Sequence, residues 1–371
     1  MVIKVLVIVN ATFGYDGISS VAMNYYRFFD KKSVKMDLLT INPVFGSFAE
    51  DIKKNGDFNF VLSNRNKNPF KYIVELRRII KKNRYDIVHV HGNSATMAVE
   101  LLAAKLAGCK VRVAHSHNTR CNHMLLNKLL MPFFSRLYTD CCACSEEAGY
   151  FLFPHGNFFV IKNGLYLQKY RFDQQLRNKM RLERNLSGRY IIGHIGRFCF
   201  QKNQEYLVKL LAKIKRKVDN AVLLLVGCGE TEKIIKNQAV DLGVQDSVIF
   251  YGTTDSINEV VQIMDVFAFP SRFEGLGIVA IEAQASGLIV VASDAVPLGI
   301  NVNEENRFIP VEGHDDEWAE ALIELGKSPQ ERELAAEDNK RRMQTAGFDI
   351  EKNCSDVLNY YKTILRKKGP Y

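Results

Sequence analysis

No run of apolar residues in this chain approaches the roughly 18 needed to cross a bilayer. The longest, such as Ala221–Gly227 and Leu288–Ala292, are strand-sized. Met1-Val2-Ile3-Lys4-Val5 runs directly into a strand pattern without the layout of a signal peptide, so the expectation is a cytoplasmic protein. Repeated Cys-x-x-Cys pairs are also missing. The eight cysteines (109, 121, 141, 142, 144, 199, 228 and 354) read as reduced core thiols, and Cys141-Cys142-x-Cys144 has no second cluster to complete a metal site. Arg-rich recognition helices, zinc-finger spacings and aromatic RNA-reading signatures are absent. Of the anionic partners that a net charge of +9 could attract, nucleic acid therefore ranks last, behind phosphate-bearing substrates and acidic lipid.

What is present is an alternation of short β-branched runs with longer stretches of helical period. The runs include Lys4–Val9, Asp86–Val90, Lys110–Ala114, Tyr190–Ile195, Ala221–Val226, Ser247–Tyr251, Val266–Phe269 and Leu288–Ala292. Such alternation predicts parallel sheets covered by helices on both faces. The 371 residues suggest two domains, and the pattern starts twice, before and after the polar segment Gln168–Arg189. That segment is read as the interdomain linker. The expected organisation is α/β, with two doubly wound, Rossmann-like domains facing each other across a cleft: residues 1–168, residues 169–345, and a C-terminal helix at 346–371 packing back toward the first domain.

In such sheets ligands sit beyond the carboxyl ends of the strands. The loop Asn10–Ser20, which contains Gly14 and Gly17, could bring backbone N–H groups to a phosphate, but it is neither a Gly-x-Gly-x-x-Gly nor a P-loop. More informative is Asp265–Gly287, where a strand ends at Phe269 and a turn with Gly275 and Gly277 opens a helix at about Ile278. Glu274 precedes that helix and Glu282 lies within it among alanines, where a carboxylate needs a hydroxyl partner. The bland reading is a helix cap and a surface ion pair. In Gly193–Asn203, Arg197 and Lys202 would present two cations to one crevice, as a diphosphate leaving group requires; a solvated basic loop is the alternative.

These motifs resemble the retaining family 4 glycosyltransferases of GT-B architecture, whose marks are Glu-x7-Glu (Glu274 to Glu282) and Gly-Arg-x4-Lys (Gly196-Arg197 to Lys202). Lesser matches span nearly the whole chain: Asp86–His91, Ala143–Glu146, Val160–Gly164, Leu225–Gly229, Phe250–Gly252 and Glu282–Ser293. Within that family the sequence looks most like bacterial capsular and exopolysaccharide enzymes. The resemblance implies that Arg197 and Lys202 grip the donor diphosphate and that Glu282 binds the ribose hydroxyls. Glu274 would contact the transferred sugar with the backbone N–H groups of Gly275, Leu276 and Gly277, and Gly17 would belong to a loop closing over the phosphates.

The chain departs from the family in having Asp16-Gly17 for a double glycine, Lys162 for the proline of Pro-Asn-Gly, and Asn203 for the glycine after Lys202. His115 and His117 follow a strand where the family carries a histidine near the donor sugar, and His117 is preferred. His89, His91, His115 and His117 could alternatively form a metal cluster, but the family needs no metal for donor binding. The expected protein is a metal-independent retaining transferase without a resident cofactor. It would use a nucleotide-diphosphate sugar, UDP-linked by first expectation, and a glycan or polyprenyl-linked acceptor in cell-surface polysaccharide synthesis.

The basic stretch Lys67–Arg84 and the apolar segment Met124–Phe134 suggest docking at an anionic membrane surface, on the inner face of the plasma membrane; each could equally be an ordinary helix with a solvated face. A GT-B sugar-nucleotide epimerase or phosphorylase is the rival enzyme reading, and a non-catalytic nucleotide-sugar-binding protein the rival from another class.

Overall fold

The computed structural model describes residues 2–10, 13–14, 17–44, 46–119, 121, 123–154 and 156–369. Its contacts divide the chain into two compact units, Met1–Gly164 with Gly347–Tyr371, and Leu165–Ala346.

The first unit runs β1 (Ile3–Val9), α1 (Gly17–Phe28), β2 (Val34–Thr40), α2 (Gly46–Asn55), β3 (Asn59–Val61), α3 (Pro69–Asn83), β4 (Ile87–Gly92), α4 (Ala98–Leu106), β5 (Val111–Ser116), α5 (Met124–Phe134), β6 (Asp140–Ala143), α6 (Glu146–Leu152) and β7 (Phe159–Val160). Its seven strands lie in the order β3-β2-β1-β4-β5-β6-β7, every pair parallel. The second unit runs α7 (Gln174–Glu183), β8 (Tyr190–Ile195), α8 (Gln204–Ile214), β9 (Ala221–Val226), α9 (Glu232–Asp241), β10 (Val248–Gly252), α10 (Ile257–Val260), β11 (Val266–Phe269), α11 (Ile278–Ala285), β12 (Val290–Ser293), β13 (Arg307–Ile309), α12 (Asp315–Glu324) and α13 (Pro329–Thr345). Its six-stranded parallel sheet has the order β10-β9-β8-β11-β12-β13. The order reverses between β1 and β4 in one unit and between β8 and β11 in the other, and at such switch points the loops diverge to leave a crevice.

Parallel strands covered on both faces carry continuous apolar runs, and β9, Ala-Val-Leu-Leu-Leu-Val, is buried at every position. In the first unit one sheet face packs on α1 and the final helix α14 (Ile350–Arg366), and the other on α3, α4 and α5. Helix α14 is clasped by the Lys162-Asn163-Gly164 segment: Asn353 Nδ2 donates to the Lys162 carbonyl at 3.1 Å, and a Cβ on Gly164 would come within 2.7 Å of the Ile350 Cα. In this chain that tripeptide is a seat for the last helix.

Gln168–Arg189 is not a linker. Its central part is helix α7, capped by the Asp173 side chain on Leu176 N at 2.9 Å, and the whole segment belongs to the second unit. Its polarity misleads because Arg177 and Arg181 point inward to Asp265, at 2.5 and 2.7 Å. From α13, the fully buried Arg332 donates to the carbonyls of Val261, Gln262 and Met264, so arginines bind the base of this unit where apolar residues would be expected. A Cβ on Gly287 would lie 2.1 Å from the Arg332 carbonyl oxygen, which accounts for the small-residue run after Glu282: α11 and α13 approach too closely for larger groups. The thiol reading also needs correction. Cys109, Cys141, Cys142, Cys144 and Cys354 are buried, whereas Cys228 is exposed and Cys121 and Cys199 are half-buried.

Candidate active site

Three loops leave the carboxyl ends of the neighbouring strands β9, β8 and β11. The first two approach closely through their backbones. Phe198 N donates to the Cys228 carbonyl at 2.9 Å, and Gly227 and Gly229 lie so close that a Cβ on either would sit 2.1 Å from the carbonyl oxygen of Gly196 or Phe198. The β8 and β11 loops are joined by side chains and one backbone bond. Gln201 Nε2 donates to the Phe273 carbonyl at 3.0 Å, Arg272 N donates to the Gln201 carbonyl at 2.8 Å, and Arg272 Nη2 reaches Asn203 Oδ1 at 3.0 Å. Asn203 has φ 57°, a left-handed conformation that asparagine tolerates better than most residues. This explains how asparagine replaces the family's glycine there.

Across the joined loops Lys202 Nζ contacts Glu274 Oε1 at 2.6 Å, with Glu274 buried and Lys202 mostly so. Gly277, at φ 90°, turns the chain into α11, and a Cβ there would press to 2.8 Å against the Phe269 ring. The N–H groups at the start of α11 have no intrahelical acceptors and carry the positive end of the helix dipole, so this edge favours an anion. Arg197 is exposed and bound to Glu230 at 3.1 Å, not to Lys202 or Glu274. The two cations thus share one edge but hold different carboxylates.

Glu282, one turn into α11, is buried, and its Oε1 accepts a 2.6 Å hydrogen bond from the Tyr170 hydroxyl. Burial pushes its carboxyl up to about 7, while Tyr170 and the charge of Lys169 pull the other way. The surface-ion-pair alternative is thereby excluded. Two further side chains support this edge. Tyr170 lies 112 residues away with nothing to mark it. His194 is buried on β8, with Nδ1 on the Ala268 carbonyl at 2.9 Å and Nε2 on Gln204 Nε2 at 3.2 Å. The same Gln204 amide nitrogen donates to the Arg197 carbonyl at 2.9 Å and so fixes the loop that carries Arg197.

In the first unit, β4 and β5 carry a column of stacked imidazoles. His89 Nε2 meets His115 Nδ1 at 3.1 Å, His91 Nδ1 meets His117 Nε2 at 2.8 Å, and His89 Nδ1 meets the Tyr361 hydroxyl of α14 at 2.6 Å. A cavity of about 20 Å³, enough for one water, adjoins His89, His91 and His115, and His115 Nε2 is buried without a partner. Burial holds His89, His115 and His117 well below 6.5, helped by their neighbours' charges, and holds His91 down to about 3. Nitrogens of His89, His91 and His115 come within 4.8 Å of one another, a spacing a cation could draw together. Both nitrogens of His89 and one of His91 are, however, already engaged. His115 and His117 are both buried, with His117 at the strand-end side of the column. Gly17 is the first residue of α1, and Asp16 beside it lies outside the described residues.

Fold and site together define the class: the chain belongs to the family 4 glycosyltransferases of GT-B fold. The family described as "Glycosyl transferases group 1" matches residues 177–342, and "Glycosyltransferase Family 4" matches residues 15–181. EpsF of Bacillus subtilis (strain 168), described as a glycosyltransferase, is 32% identical over 95% of this chain and 94% of its own. The Escherichia coli UDP-Gal:alpha-D-GlcNAc-diphosphoundecaprenol alpha-1,3-galactosyltransferase is 27% identical over 80% of each chain. Among solved structures, Anabaena Alr3699/HepE in complex with UDP and glucose superposes with a TM-score of 0.79 at 19% identity, over 97% of this chain and 100% of that one.

Proposed function

We propose that this glycosyltransferase moves a sugar, with retention of anomeric configuration and without a metal or resident cofactor, from a UDP-sugar to a glycan or polyprenyl-linked acceptor in bacterial cell-surface polysaccharide synthesis. The observation that carries this reading is the contact between Lys202 and Glu274 at the start of α11. There a cation, a helix N-terminus and a buried carboxylate share one strand edge.

On donor binding, Lys202 and Arg197 take the diphosphate oxygens, and α11 adds its dipole, so charge developing on the leaving group meets fixed positive potential. The N–H groups of Gly275, Leu276 and Gly277 and the Glu274 carboxylate orient the transferred sugar. The acceptor hydroxyl then attacks from the face the diphosphate leaves, the C–O bond to phosphate breaking as the new glycosidic bond forms. The acceptor's proton passes to the departing phosphate. Glu282 binds the ribose, Gly17 contributes to the phosphate-closing loop, and His117 faces the sugar.

The experiment is NMR of the product's anomeric centre, with a parallel reaction in excess EDTA. Retained configuration and undiminished turnover are expected. Inverted product rejects the mechanism, and activity abolished by EDTA but restored by Mg²⁺ or Mn²⁺ rejects the metal-free site. Nucleotide-sugar isomerisation without transfer would favour the epimerase, and binding without turnover the non-catalytic reading.

Arg197→Ala and Lys202→Ala should each weaken UDP affinity, by on the order of tenfold for one lost charge-assisted bond. Only Lys202→Ala should also destabilise the second unit, by about 3 kcal/mol, because it strands the buried Glu274 carboxylate. Adding Glu274→Gln should recover most of that stability and none of the affinity. Isothermal titration and urea denaturation measure the two effects, and unchanged UDP affinity in both single variants would remove the donor site.

A further inference from the structure

Helix α5, Met-Leu-Leu-Asn-Lys-Leu-Leu-Met-Pro-Phe-Phe, is built the wrong way round for a helix on a water-facing surface. Its only fully buried side chains are Asn127 and Phe134. Asn127 Oδ1 accepts from Ala95 N at 2.7 Å, Phe134 stacks on Phe153, and the half-buried Leu130 and Met131 pack on the same core, so the inward side of the helix is held down. Leu125, Leu129 and Phe133 are 85%, 70% and 66% exposed, and Met124 and Leu126 are exposed beside them. Scattered surface leucines are ordinary, but a continuous apolar ridge on one short helix marks a surface that meets something apolar.

Charge identifies the partner. From Leu101 to Thr139 the sequence contains no aspartate or glutamate, while Lys128 and Arg136 flank the ridge on exposed positions. Helix α3 packs on α4 and α4 on α5 in one layer, and α3 turns Arg78, Lys81 and Lys82 outward. An apolar ridge in a segment free of acidic residues, flanked by exposed cations, complements an acidic lipid surface, where side chains enter the acyl boundary and lysines meet headgroups. At 11 residues α5 is about 16 Å long, against a hydrocarbon core of about 30 Å, so it lies in the interface. No helix among the described residues is long and apolar enough to span it.

We infer that the first unit docks on anionic membrane by inserting the Leu125–Leu129–Phe133 ridge of α5, with Lys128, Arg136 and the outward cations of α3 holding the headgroups. The inference deepens the proposed transfer to a polyprenyl-linked acceptor, on which its purpose rests, by naming the surface where such an acceptor is met.

The test is cosedimentation of the full chain with phosphatidylcholine vesicles containing phosphatidylglycerol, compared with phosphatidylcholine alone, at low and physiological salt. Wild type should bind the anionic vesicles, and added salt should weaken binding because exposed charges are screened beyond roughly 8–10 Å. Leu125→Ser/Leu129→Ser/Phe133→Ser should weaken binding on the order of a hundredfold, and Lys128→Glu/Arg136→Glu on the order of tenfold. UDP affinity should be unchanged in both, which separates failure at the membrane from failure of the donor reading. Absence of binding at low salt, or binding retained by the triple serine variant, overturns the inference. So does a wild-type dimer that the serine variant converts to monomer without any vesicle binding, since a second copy would then cover the ridge.

Discussion

Glu282→Gln is expected to stabilise the protein by about 2–3 kcal/mol at pH 8 and, in the same variant, to weaken UDP binding. Burial lifts this carboxyl from an ordinary 4.5 to about 7. The unfolded chain therefore gives up the proton more readily than the fold does, and each unit of difference corresponds to about 1.4 kcal/mol. Because the folded value is raised, the benefit of a neutral Glu282 is fully present below pH 4.5 and lost as pH rises through about 7. Glutamine copies the protonated form and can still accept the Tyr170 hydroxyl. Its advantage should be near zero at pH 4.5 and fully developed at pH 8, which urea denaturation at the two pH values measures. A ribose hydroxyl prefers a carboxylate acceptor, so UDP affinity should fall on the order of tenfold while a 2′,3′-dideoxy analogue loses much less. Wild-type binding should also release a proton near pH 6.5, visible as buffer-dependent enthalpy. Equal losses for both nucleotides, or no gain in stability, would make Glu282 an ordinary structural acid.

Acidification should unfold the first unit before the second. His89, His91, His115 and His117 are buried and held neutral in the fold, whereas each binds a proton near 6.5 once unfolded. Folded values are depressed, so stability is lost as pH falls below 6.5, at about 1.4 kcal/mol per histidine per pH unit. For four imidazoles the loss is on the order of 5 kcal/mol per pH unit, comparable with the whole stability of a typical domain. Among described residues the second unit has only His194 in this position, pushed down to about 4 by burial, and Glu282 shifts with the opposite sign. The single tryptophan, Trp318, is buried in the second unit, so its fluorescence reports that unit while far-UV circular dichroism reports both. Between pH 7.5 and 5 the dichroism should fall while Trp318 emission persists. A change in first-unit stability below about 1 kcal/mol over that range would mean the column accepts protons without cost.

The residues that matter were unequally visible in the chain. Glu274, Glu282, Arg197 and Lys202 could be picked out because Glu-x7-Glu and Gly-Arg-x4-Lys are spacings fixed within two short stretches of chain. The start of α11 near Ile278 was visible for a local reason too, since glycines end one element and open the next. Strands β2, β3, β6, β7 and β13 were not among those singled out, being short or carrying charges that hide their burial. Helix α7 reads as a linker in the sequence because its inward arginines look like a solvated face until Asp265, at least 84 residues along, is set against them.

The sequence by itself determined the alternation that makes two parallel α/β sheets, the family, and the four charged residues in two strand-end loops and the helix that follows, because each depends on neighbours within one element or loop. Only the tertiary structure decided which group each of them faces. Lys202 turned to Glu274 and Arg197 to Glu230, Glu282 found the hydroxyl of Tyr170, and Tyr361 reached back 272 residues to His89. Those pairings are set by sheet order and register, which bring distant strands and helices side by side. Burial there also sets the charge states, since the same carboxyl or imidazole in water would keep its ordinary value.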